Sequence, residues 1–398
     1  MLGRTLLSLS LVSLAYGADW PQWRGIHRDG ISAETGLLES WPKGGPPLAW
    51  KITGLGEGYS SAAIIAGQLF IQGQQGNEEF VVALDAASGK PLWKAHTGIP
   101  FQESRGYGPR GTPTIDGDRL YALAADGMLV CLETTTGKRL WGFNIVDFFH
   151  GRVLHWGMSE SPLVDGDRLI VTPGGRGAAV VALDKMTGKT LWQSQNDTAG
   201  YSSAMAFDFG GAHRIVVFTG EAAIGLDPAS GKLLWRYERV ANGTADIATP
   251  IVHDGQIFVS SDYGTGCVLL KAAADGSASE VYFNRDMRNH YSTSVLVGDY
   301  LYGFSSSILT AMKFSTGEVA WKNRSVGKGS LIYAEHNLYA LGEDGIVGLV
   351  EATPTEYREK SRFEISKGGF PTWSQPVIAN GKLYLRDQDN LFCYNIKK

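Results

Sequence analysis

A ten-residue pattern recurs along the chain and constrains its fold more than any other feature. Leu84–Trp93 reads LDAASGKPLW, and closely similar segments begin at Leu132, Leu183 and Leu226, at steps of 48, 51 and 43 residues. Self-similarity at a period of roughly 40–50 residues is typical of propellers and repeat arrays, in which each repeat is one supersecondary unit. The sequence therefore predicts a repeat protein.

Each clear copy contains four β-rich runs separated by turn signals. In the copy that ends at Trp141, Asp116-Gly117 divides the first two runs, Asp126-Gly127 follows the second, and Gly137 follows the third. Asp-Gly between apolar runs is a strong hairpin signal. Four antiparallel strands make one propeller blade. In the recurring pattern the acidic residue caps its turn, the glycine supplies a positive φ, and the Trp ring packs on the neighbouring blade with its N–H free to find a backbone acceptor.

Weaker copies bring the blade count to eight. Three of them keep the turn or the aromatic residue: Leu309–Trp321, Val268–Phe283 and Val347–Phe363. The last copy stops at LFCYNIKK without an outer strand, whereas Pro46–Ile52 carries Trp50 with no preceding Leu-Asp. Pairing this N-terminal strand with the last three would close the ring and remove its open edge. We predict an all-β, eight-bladed β-propeller of four-stranded antiparallel blades.

The N-terminus predicts export. One arginine, Arg4, precedes an apolar run from Leu6 to Leu14, and the small residues Ala15 and Gly17 suit cleavage after Gly17. The run is too short to span a bilayer, and no later segment approaches 18 apolar residues in a row. We expect a signal peptide at 1–17, a leader packed on the propeller at 18–45, and one propeller at 46–398. The mature chain is expected to be a periplasmic or secreted monomer without a transmembrane segment.

Charge argues against nucleic acid as a partner. The chain has 36 Lys and Arg against 40 Asp and Glu, which gives a net charge of −4 and a pI near 6.1. No basic stripe stands out along the sequence, and such a stripe is the usual mark of a nucleic-acid surface.

The Leu-Asp…Gly-Lys…Trp repeat resembles the tryptophan-docking motif of the quinoprotein propellers. That superfamily contains the pyrroloquinoline-quinone (PQQ) dehydrogenases and the BamB-type propeller lipoprotein of the outer-membrane barrel-assembly machinery. The leader DWPQWRG followed by LAWKITG is also similar to the N-terminal segment of the dehydrogenases. The resemblance covers the whole mature chain and implies a PQQ-like propeller. Because function depends on the site and not on the fold, it does not by itself imply an activity.

Several departures from the dehydrogenase pattern argue against catalysis. No two cysteines are adjacent, so the disulfide that covers the cofactor in alcohol-oxidising members has no counterpart. The stretch expected to supply the calcium-binding Glu has no carboxylate between Asp167 and Asp184. The chain also lacks the long insertions that wall the cofactor. Against the barrel-assembly lipoprotein, no Cys follows the expected cleavage point to carry a lipid anchor. We expect no cofactor, with PQQ and Ca²⁺ as the alternative.

A ligand site is predicted on the face that carries the blade-to-blade crossings and the second-to-third turns, around the channel mouth. Arginine and aromatic residues that converge on a funnel are suited to a planar or anionic ligand. The alternative is that polar groups there only tie loops together. His150 and His155 lack a third ligand at metal spacing, so neither a metal site nor a catalytic residue is assigned. The candidate ligand-binding residues are Arg105, Tyr107, Arg110, His155, Trp156, Glu160, Arg176, Asp246, Asp262, Tyr263, Asn289, His290 and Trp373.

These features favour an exported, non-catalytic scaffold that binds an envelope protein or a small planar or anionic ligand. One alternative is a PQQ-dependent oxidoreductase, of the alcohol or sugar dehydrogenase kind, with a reduced cofactor site. Another is an enzyme that acts on a carbohydrate or polymer. A carboxylate triad beside Trp156 or Trp373 would favour an enzyme.

Overall fold

The computed structural model describes residues 19–398, and in this part of the chain eight β-sheets form a closed ring. The predicted signal peptide, residues 1–17, lies outside the described residues. Between residues 19 and 398 the one α-helix, α1, spans only Ile145–Phe148. No helix in that range has the length and apolar character needed to cross a membrane.

The strands follow one another with short connections. They are β1 (Ile31–Ser32), β2 (Leu48–Ile52), β3 (Ala63–Ile65), β4 (Gln68–Gln75), β5 (Glu78–Asp85), β6 (Pro91–Gly98), β7 (Thr114–Asp116), β8 (Arg119–Leu123), β9 (Met128–Glu133), β10 (Arg139–Asn144), β11 (Leu163–Asp165), β12 (Arg168–Val171), β13 (Val180–Asp184), β14 (Thr190–Ser194), β15 (Met205–Phe209), β16 (Ala212–Phe218), β17 (Ala223–Leu226), β18 (Leu233–Tyr237), β19 (Ile251–His253), β20 (Gln256–Ser261), β21 (Gly266–Ala272), β22 (Ala278–Asn284), β23 (Val295–Val297), β24 (Tyr300–Ser305), β25 (Ile308–Lys313), β26 (Val319–Asn323), β27 (Gly329–Ala334), β28 (Asn337–Gly342), β29 (Ile346–Glu351), β30 (Glu359–Glu364), β31 (Val377–Ala379), β32 (Lys382–Asp387) and β33 (Asn390–Asn395).

Seven blades are runs of four consecutive antiparallel strands. Blade 1 comprises β3–β6, and blades 2 to 7 follow in order up to β27–β30. The first strands of neighbouring blades contact one another, so they line the central channel and each blade runs outward from it. The middle strands are apolar on both faces because a neighbouring blade covers each face. Every residue of β28 is buried, for example, whereas the outer strand β6 is largely exposed at its N-terminal end.

The N-terminal strand closes the ring, as the sequence predicts. β2 pairs antiparallel with β33, and Trp50 lies opposite Cys393 on the outer edge of blade 8, which β31–β33 complete. The predicted eight-bladed fold with four-stranded antiparallel blades is confirmed. One detail was not foreseen: β1 adds to the inner edge of blade 7 in parallel with β27.

The recurring Trp packs on the next blade. The ring of Trp93 lies against Gly137 of blade 2, where an added Cβ would come within 2.6 Å of it. The Trp93 indole N–H donates to the Thr134 carbonyl at 2.9 Å, and that of Trp192 donates to the Pro228 carbonyl at 2.9 Å. Both rings are half-buried. Trp235 is buried, yet its N–H has no acceptor among the described residues.

Every outer strand also carries a β-bulge beside its aromatic position. In blade 1 the register shifts between the pairs made by Trp93 and Pro91, so Leu92 is extruded and stays half exposed. Leu140 and Leu191 occupy the same place in blades 2 and 3. A bulge twists a strand edge, and the twist disfavours pairing with another chain. The exposed leucines are therefore a consequence of the bulges at the outer edges of the blades.

Candidate ligand site at the channel mouth

A cavity of about 600 Å³ opens on the face where the crossings and the second-to-third turns converge. Its wall holds three Trp, four Tyr and one His among the described residues. These aromatic residues are Trp23, Tyr59, Trp156, Tyr201, Tyr263, His290, Tyr291 and Trp373. The size and the aromatic lining match a site for a small molecule with a planar or apolar body.

Trp373, in the crossing between blades 7 and 8, forms one side of the cavity wall. Tyr291 stacks on it, with 5.3 Å between ring centroids and 27° between planes, and Tyr59 lies 5.4 Å away on a tilted plane. The Trp373 indole N–H donates to the Glu343 carboxylate at 3.0 Å. This bond fixes the plane of the indole before any ligand arrives.

Trp156 forms part of the wall contributed by blades 2 to 4. Its ring lies 5.7 Å from that of Tyr201, and its backbone N–H donates to the Tyr201 hydroxyl at 3.3 Å. His155 packs edge-on against Trp156 from outside the cavity wall. The Trp156 ring is therefore held by its own crossing, between blades 2 and 3, and by the segment that begins blade 4.

Two cations in the wall have no bound counter-ion. Among residues 19–398, neither the Arg105 guanidinium nor the Lys328 ammonium has a hydrogen-bonding or ion-pair partner. The Lys328 ammonium lies 5.7 Å from the ring centroid of Tyr291 and 5.8 Å from that of Trp373. Burial lowers the pKa of Lys328, against an opposing effect of Glu343. A desolvated ammonium beside aromatic faces is a favourable partner for an anion.

The other charged groups of the wall are already paired. Arg110 is buried and donates to the Glu103 carboxylate at 2.9 Å and to the carbonyls of Gly106 and Gly108. Lys367 pairs with Asp344 at 3.0 Å. These pairs hold loops in place, which is the role the alternative interpretation gives to such residues.

His290 and Tyr263 form a hydrogen-bonded pair on the blade 5 side, with 3.1 Å between the phenol oxygen and Nε2. Burial, and then the nearby Lys328, lower the pKa of His290 to about 4. The imidazole is therefore neutral near pH 7. Its Nδ1 has no partner in the described chain. Because this atom is itself buried, the contribution of His290 to the wall is its neutral ring.

Hydroxyl groups at the start of the inner strands form the polar base of the cavity. The Thr112 N–H donates to the Ser161 hydroxyl and the Ser161 N–H donates to that of Ser203, both at 2.9 Å. The Thr249 N–H donates to the Thr293 hydroxyl at 3.0 Å. Each bond joins one blade to the next, so the base of the cavity is tied to the ring.

The structure brings six of the predicted residues together in the cavity wall: Arg105, Arg110, Trp156, Tyr263, His290 and Trp373. It does not place the other seven there. Tyr107 packs on Phe370, His155 lies behind Trp156, and Arg176 is exposed in a turn. Asn289 is buried and donates to the Phe304 carbonyl. The remaining three are the carboxylates Glu160, Asp246 and Asp262.

Those three carboxylates are buried and hold backbone or hydroxyl groups. Glu160 accepts from the Thr172 N–H at 2.7 Å, and Asp262 accepts from the Ser306 hydroxyl. Asp246 accepts from the Asn242 N–H and from the Ser261 hydroxyl, at 3.1 Å each. Burial raises the pKa of Glu160 and that of Asp246 to about 7 each. Their sequence signal, an acidic residue in a crossing or in a second-to-third turn, does not reveal whether the side chain turns inward.

Sequence reasoning missed most of the remaining wall. Tyr291 follows a residue that was singled out, and Lys328 lies in a short crossing, VGKGS, with little to mark it. Tyr59 lies just before β3, in a stretch with no candidate residue among the thirteen. Trp23 lies in the leader, for which the sequence predicts packing on the propeller without indicating which side chains reach the channel.

Comparison with known proteins places the chain among the PQQ-like propellers. A family model described as outer membrane protein assembly factor BamB matches residues 61–323, which is more than half of the chain. The chain belongs to that family, whose relatives include quinoprotein dehydrogenases.

Two curated proteins are similar in sequence over part of their length. A quinohemoprotein alcohol dehydrogenase ADH IIB of Pseudomonas putida is 32% identical over 28% of this chain and 17% of its own length. The outer membrane protein assembly factor BamB of Kangiella koreensis is 26% identical over 55% of this chain and 52% of its own length. The alignments thus span at most about half of either relative.

Solved structures share the fold. BamB from Moraxella catarrhalis matches 88% of this chain and all of its own with a TM-score of 0.65 at 16% identity. Quinohemoprotein alcohol dehydrogenase from Comamonas testosteroni matches 94% of this chain and 80% of its own with a TM-score of 0.68 at 12% identity. At such identities the likeness concerns the fold alone.

The residues of the cavity do not fit PQQ held by calcium. A calcium ion needs six to eight oxygen ligands with carboxylates among them. Within residues 19–398 no group of three His, Cys, Asp or Glu side chains is placed to hold a metal ion. The carboxylates of the wall, Glu343 and Asp344, are bound to Trp373 and Lys367. The donor set therefore disagrees with the chemistry of that cofactor site.

Proposed function

We propose that the chain is a non-catalytic binding propeller of the cell envelope, whose channel mouth holds a small planar anion. The observation that carries the proposal is a pair of wall cations without a hydrogen-bonding partner among the described residues, Arg105 and Lys328, of which Lys328 lies beside the stacked rings of Trp373 and Tyr291. The rings supply apolar surface for a flat body, and the cations supply charge for a carboxylate, sulfonate or phosphate. The predicted signal peptide supports export, and the BamB-like family supports an envelope location.

Fluorescence titration with two dyes tests this proposal. Anilinonaphthalene sulfonate (ANS) is a planar aromatic anion, and N-phenylnaphthylamine is its neutral counterpart. We expect saturable binding that favours the anion. Trp156→Leu should weaken the binding of both dyes about fivefold, because it removes one aromatic wall. Phe148→Leu, which changes an exposed ring outside the cavity, is the matched control and should bind as the wild type does.

Charge selectivity is tested in the same titration. The double variant Arg105→Gln, Lys328→Met should lose the preference for ANS and keep its affinity for the neutral dye. Lys322→Met is the control for the loss of one positive charge. Lys322 is an exposed lysine of blade 6 that pairs with Asp286. Equal affinity of the wild type for both dyes would refute the anionic part of the proposal, and no saturable binding would refute the site.

A protein partner is the second candidate, and the similarity to an assembly factor favours it. Native mass spectrometry of the protein purified from its own envelope fraction separates the two. A retained small molecule supports the cavity as the functional site. A retained subunit with an empty cavity supports a protein-binding scaffold.

The oxidoreductase alternative has its own test. Incubation with PQQ and Ca²⁺ should give no alcohol- or sugar-dependent dye reduction, and calorimetry should show no PQQ binding that depends on Ca²⁺ and is tighter than about 10 μM, or about −7 kcal/mol. Substrate-dependent turnover that disappears in Asp246→Ala or Glu160→Ala would overturn the non-catalytic proposal. PQQ bound without turnover would mean that the fold keeps a pocket without the chemistry.

A further inference from the structure

The leader passes through the central channel and touches the inner edge of every blade. Trp20 bridges to Ile64 in blade 1, and Ile31 pairs with Tyr333 in blade 7. The other contacts are hydrogen bonds of Pro21 with Ile115 (blade 2), Arg28 with Pro162 (preceding β11 of blade 3) and Ala204 (preceding β15 of blade 4), Trp23 with Thr249 (preceding β19 of blade 5), Arg24 with Ser294 (preceding β23 of blade 6), and Ser32 with Ile378 (blade 8).

Two buried arginines anchor the leader in the channel. The Arg24 guanidinium donates to the carbonyls of Asp29 and Ser294 at 2.7 Å each and to that of Thr293 at 3.1 Å. Arg28 donates to the carbonyls of Ser161, Pro162 and Ala204. Both side chains are almost wholly buried. Buried donors that are all engaged fix one arrangement, because any shift would leave some of them unpaired.

The two ends of the leader are attached at the channel end opposite the cavity mouth. Near its start, the Asp19 carboxylate accepts from the Ala66 N–H, in the first-to-second turn of blade 1. Near its exit, the N–H groups of Gly36 and Leu37 donate to Glu335, in the corresponding turn of blade 7. Both turns lie on the face away from the crossings. Because the leader lies in the channel between these points and contacts every blade, we expect the cavity to be blind at its base and a ligand to enter from the crossing face.

One leader side chain reaches the cavity wall, and a chain of hydrogen bonds orients it. The Trp23 indole N–H donates to the Thr249 hydroxyl at 2.9 Å. The Thr249 backbone N–H donates to the Thr293 hydroxyl, and the Thr293 carbonyl accepts from Arg24. The ring of Trp23 is thus held from both ends, by its own backbone in the leader and by the inner strands of blades 5 and 6.

We infer that the leader supplies the floor of the binding site, with Trp23 as a ligand-contact residue and Thr249 as its positioning residue. The inference rests on the proposed function of the channel mouth and adds to it the residues that form the base of the site. The bound molecule would stand on the Trp23 ring, with its anionic end toward Lys328 and Arg105. Its class is then an aromatic anion small enough to fit a blind cavity of about 600 Å³, and not a strand or polymer threaded through the ring.

ANS titration of the full chain, combined with thermal melting, tests the floor. Trp23→Leu should weaken ANS binding about fivefold and shift its emission toward the value in water. Thr249→Val keeps the side-chain shape and removes the acceptor, so it should weaken binding about twofold to threefold with little change in melting temperature. Trp20→Leu is the matched control: this leader tryptophan is buried against Gly25 and lies outside the cavity wall. It should lower the melting temperature and leave ANS affinity unchanged.

The outcomes distinguish the role of the leader in binding from the existence of the binding site. Wild-type affinity in both Trp23→Leu and Thr249→Val, with Trp156→Leu still weakened, would overturn the role of the leader and leave the binding site standing. Equal loss of ANS affinity in Trp23→Leu and Trp20→Leu would also overturn it, because the effect would then be structural. Absence of ANS binding to the wild type would refute the proposed site itself. If Trp23→Leu fails to fold, Thr249→Val and Trp23→Phe decide the question.

Discussion

The two faces of the ring use the same residue types in opposite ways. On the face of the first-to-second and third-to-fourth turns, the carboxylates of Asp85, Asp184 and Asp227 accept hydrogen bonds from Ser88, Thr187 and Ser230, and these bonds lower the pKa of each carboxylate. On the crossing face, burial raises the pKa of Glu79 to about 8 and those of Glu160 and Asp246 to about 7.

This difference shows how a repeat fold separates stability from specificity. The turn face repeats one local bond in blade after blade, with a partner two or three residues away in the sequence. On the crossing face the partners include residues farther along the chain: the Glu79 carboxylate accepts from the Ala125 N–H of the next blade, and the Glu160 carboxylate accepts from the Thr172 N–H. Repetition therefore marks residues that join blades, and departures from the repeat mark residues that can form a site.

The largest expected effect on stability comes from removing the N-terminal segment, which closes the ring and also passes through the channel. Deleting residues 18–53 removes β2, which closes the ring, together with the leader that contacts every blade. We expect loss of cooperative unfolding, as measured by urea denaturation followed by circular dichroism. Appending residues 46–53 after Lys398 to the deleted chain separates the two causes, because the Asn395 N–H already donates to the Pro47 carbonyl at 2.8 Å. Cooperative folding of the deleted chain without the appended strand would contradict ring closure by β2.

The next largest effect is expected from substitutions that test the packing between blades. Trp93→Ala, Trp192→Ala and Trp235→Ala should each lower the free energy of unfolding by about 3–5 kcal/mol, the usual cost of such truncations. Trp235 loses the most buried surface, whereas Trp93 and Trp192 also lose a hydrogen bond to the next blade. Urea denaturation measures the change. A cost below about 1 kcal/mol at all three positions would mean that the repeated Trp does not join the blades.

A smaller effect should appear in the pH dependence of the crossing face. The Glu79 side chain accepts from the Ala125 N–H through one oxygen, and its other oxygen has no partner in the described chain. Its pKa is raised to about 8 in the folded protein, against about 4.3 when unfolded. The folded state therefore binds the proton more tightly. This contribution to stability is full below pH 4 or so and is lost as the pH rises through about 8.

Glu79→Gln should remove that dependence. Unfolding free energies measured between about pH 5 and about pH 8.5 should fall with pH more steeply in the wild type than in the variant. Glu78→Gln, one residue away and partly exposed in a pair with Lys94, is the matched control. Parallel pH curves for the wild type and Glu79→Gln would show that the Glu79 carboxyl is not held protonated.

The smallest effect concerns a histidine on the turn face. His213 Nε2 lies 2.6 Å from an Asp165 oxygen in blade 3, and Nδ1 lies 2.7 Å from an Asp208 oxygen in its own blade. Burial by itself would lower the pKa of His213, but the two carboxylates outweigh it and raise the pKa. The stabilisation is full below the unfolded pKa of about 6.5 and is lost as the pH rises through the higher folded pKa.

His213→Gln should therefore cost more near pH 5.5 than near pH 8. Because the imidazole is about 41% exposed, solvent screens the pair and the cost should stay below about 1 kcal/mol. His96→Gln, an exposed histidine on an outer strand, is the matched control. A cost that grows with pH would contradict the assigned charge state.

Sequence reasoning predicted the ring well because its signals are local and repeated. The Asp-Gly and Gly-Lys turns, the Trp position and the displaced first strand are each visible within one repeat, and β2 pairs with β33 as expected. For the cavity, six of thirteen candidates reached the wall, mostly arginine and aromatic residues. The side chains of the acidic candidates Glu160, Asp246 and Asp262 point inward, because each accepts a hydrogen bond from a buried backbone N–H or hydroxyl. The sequence gives no means of locating those donors.

The sequence by itself determined the fold class, the number of blades and the way the ring closes, since short-range turn chemistry and a fixed period decide them. Only the tertiary structure decided the binding site. Trp23 is separated from Lys328 and Trp373 by most of the chain, and the three meet because the leader enters the channel and the crossings converge above it. Which cations stay unpaired there depends on distances across the mouth, and a period along the chain carries no information about those distances.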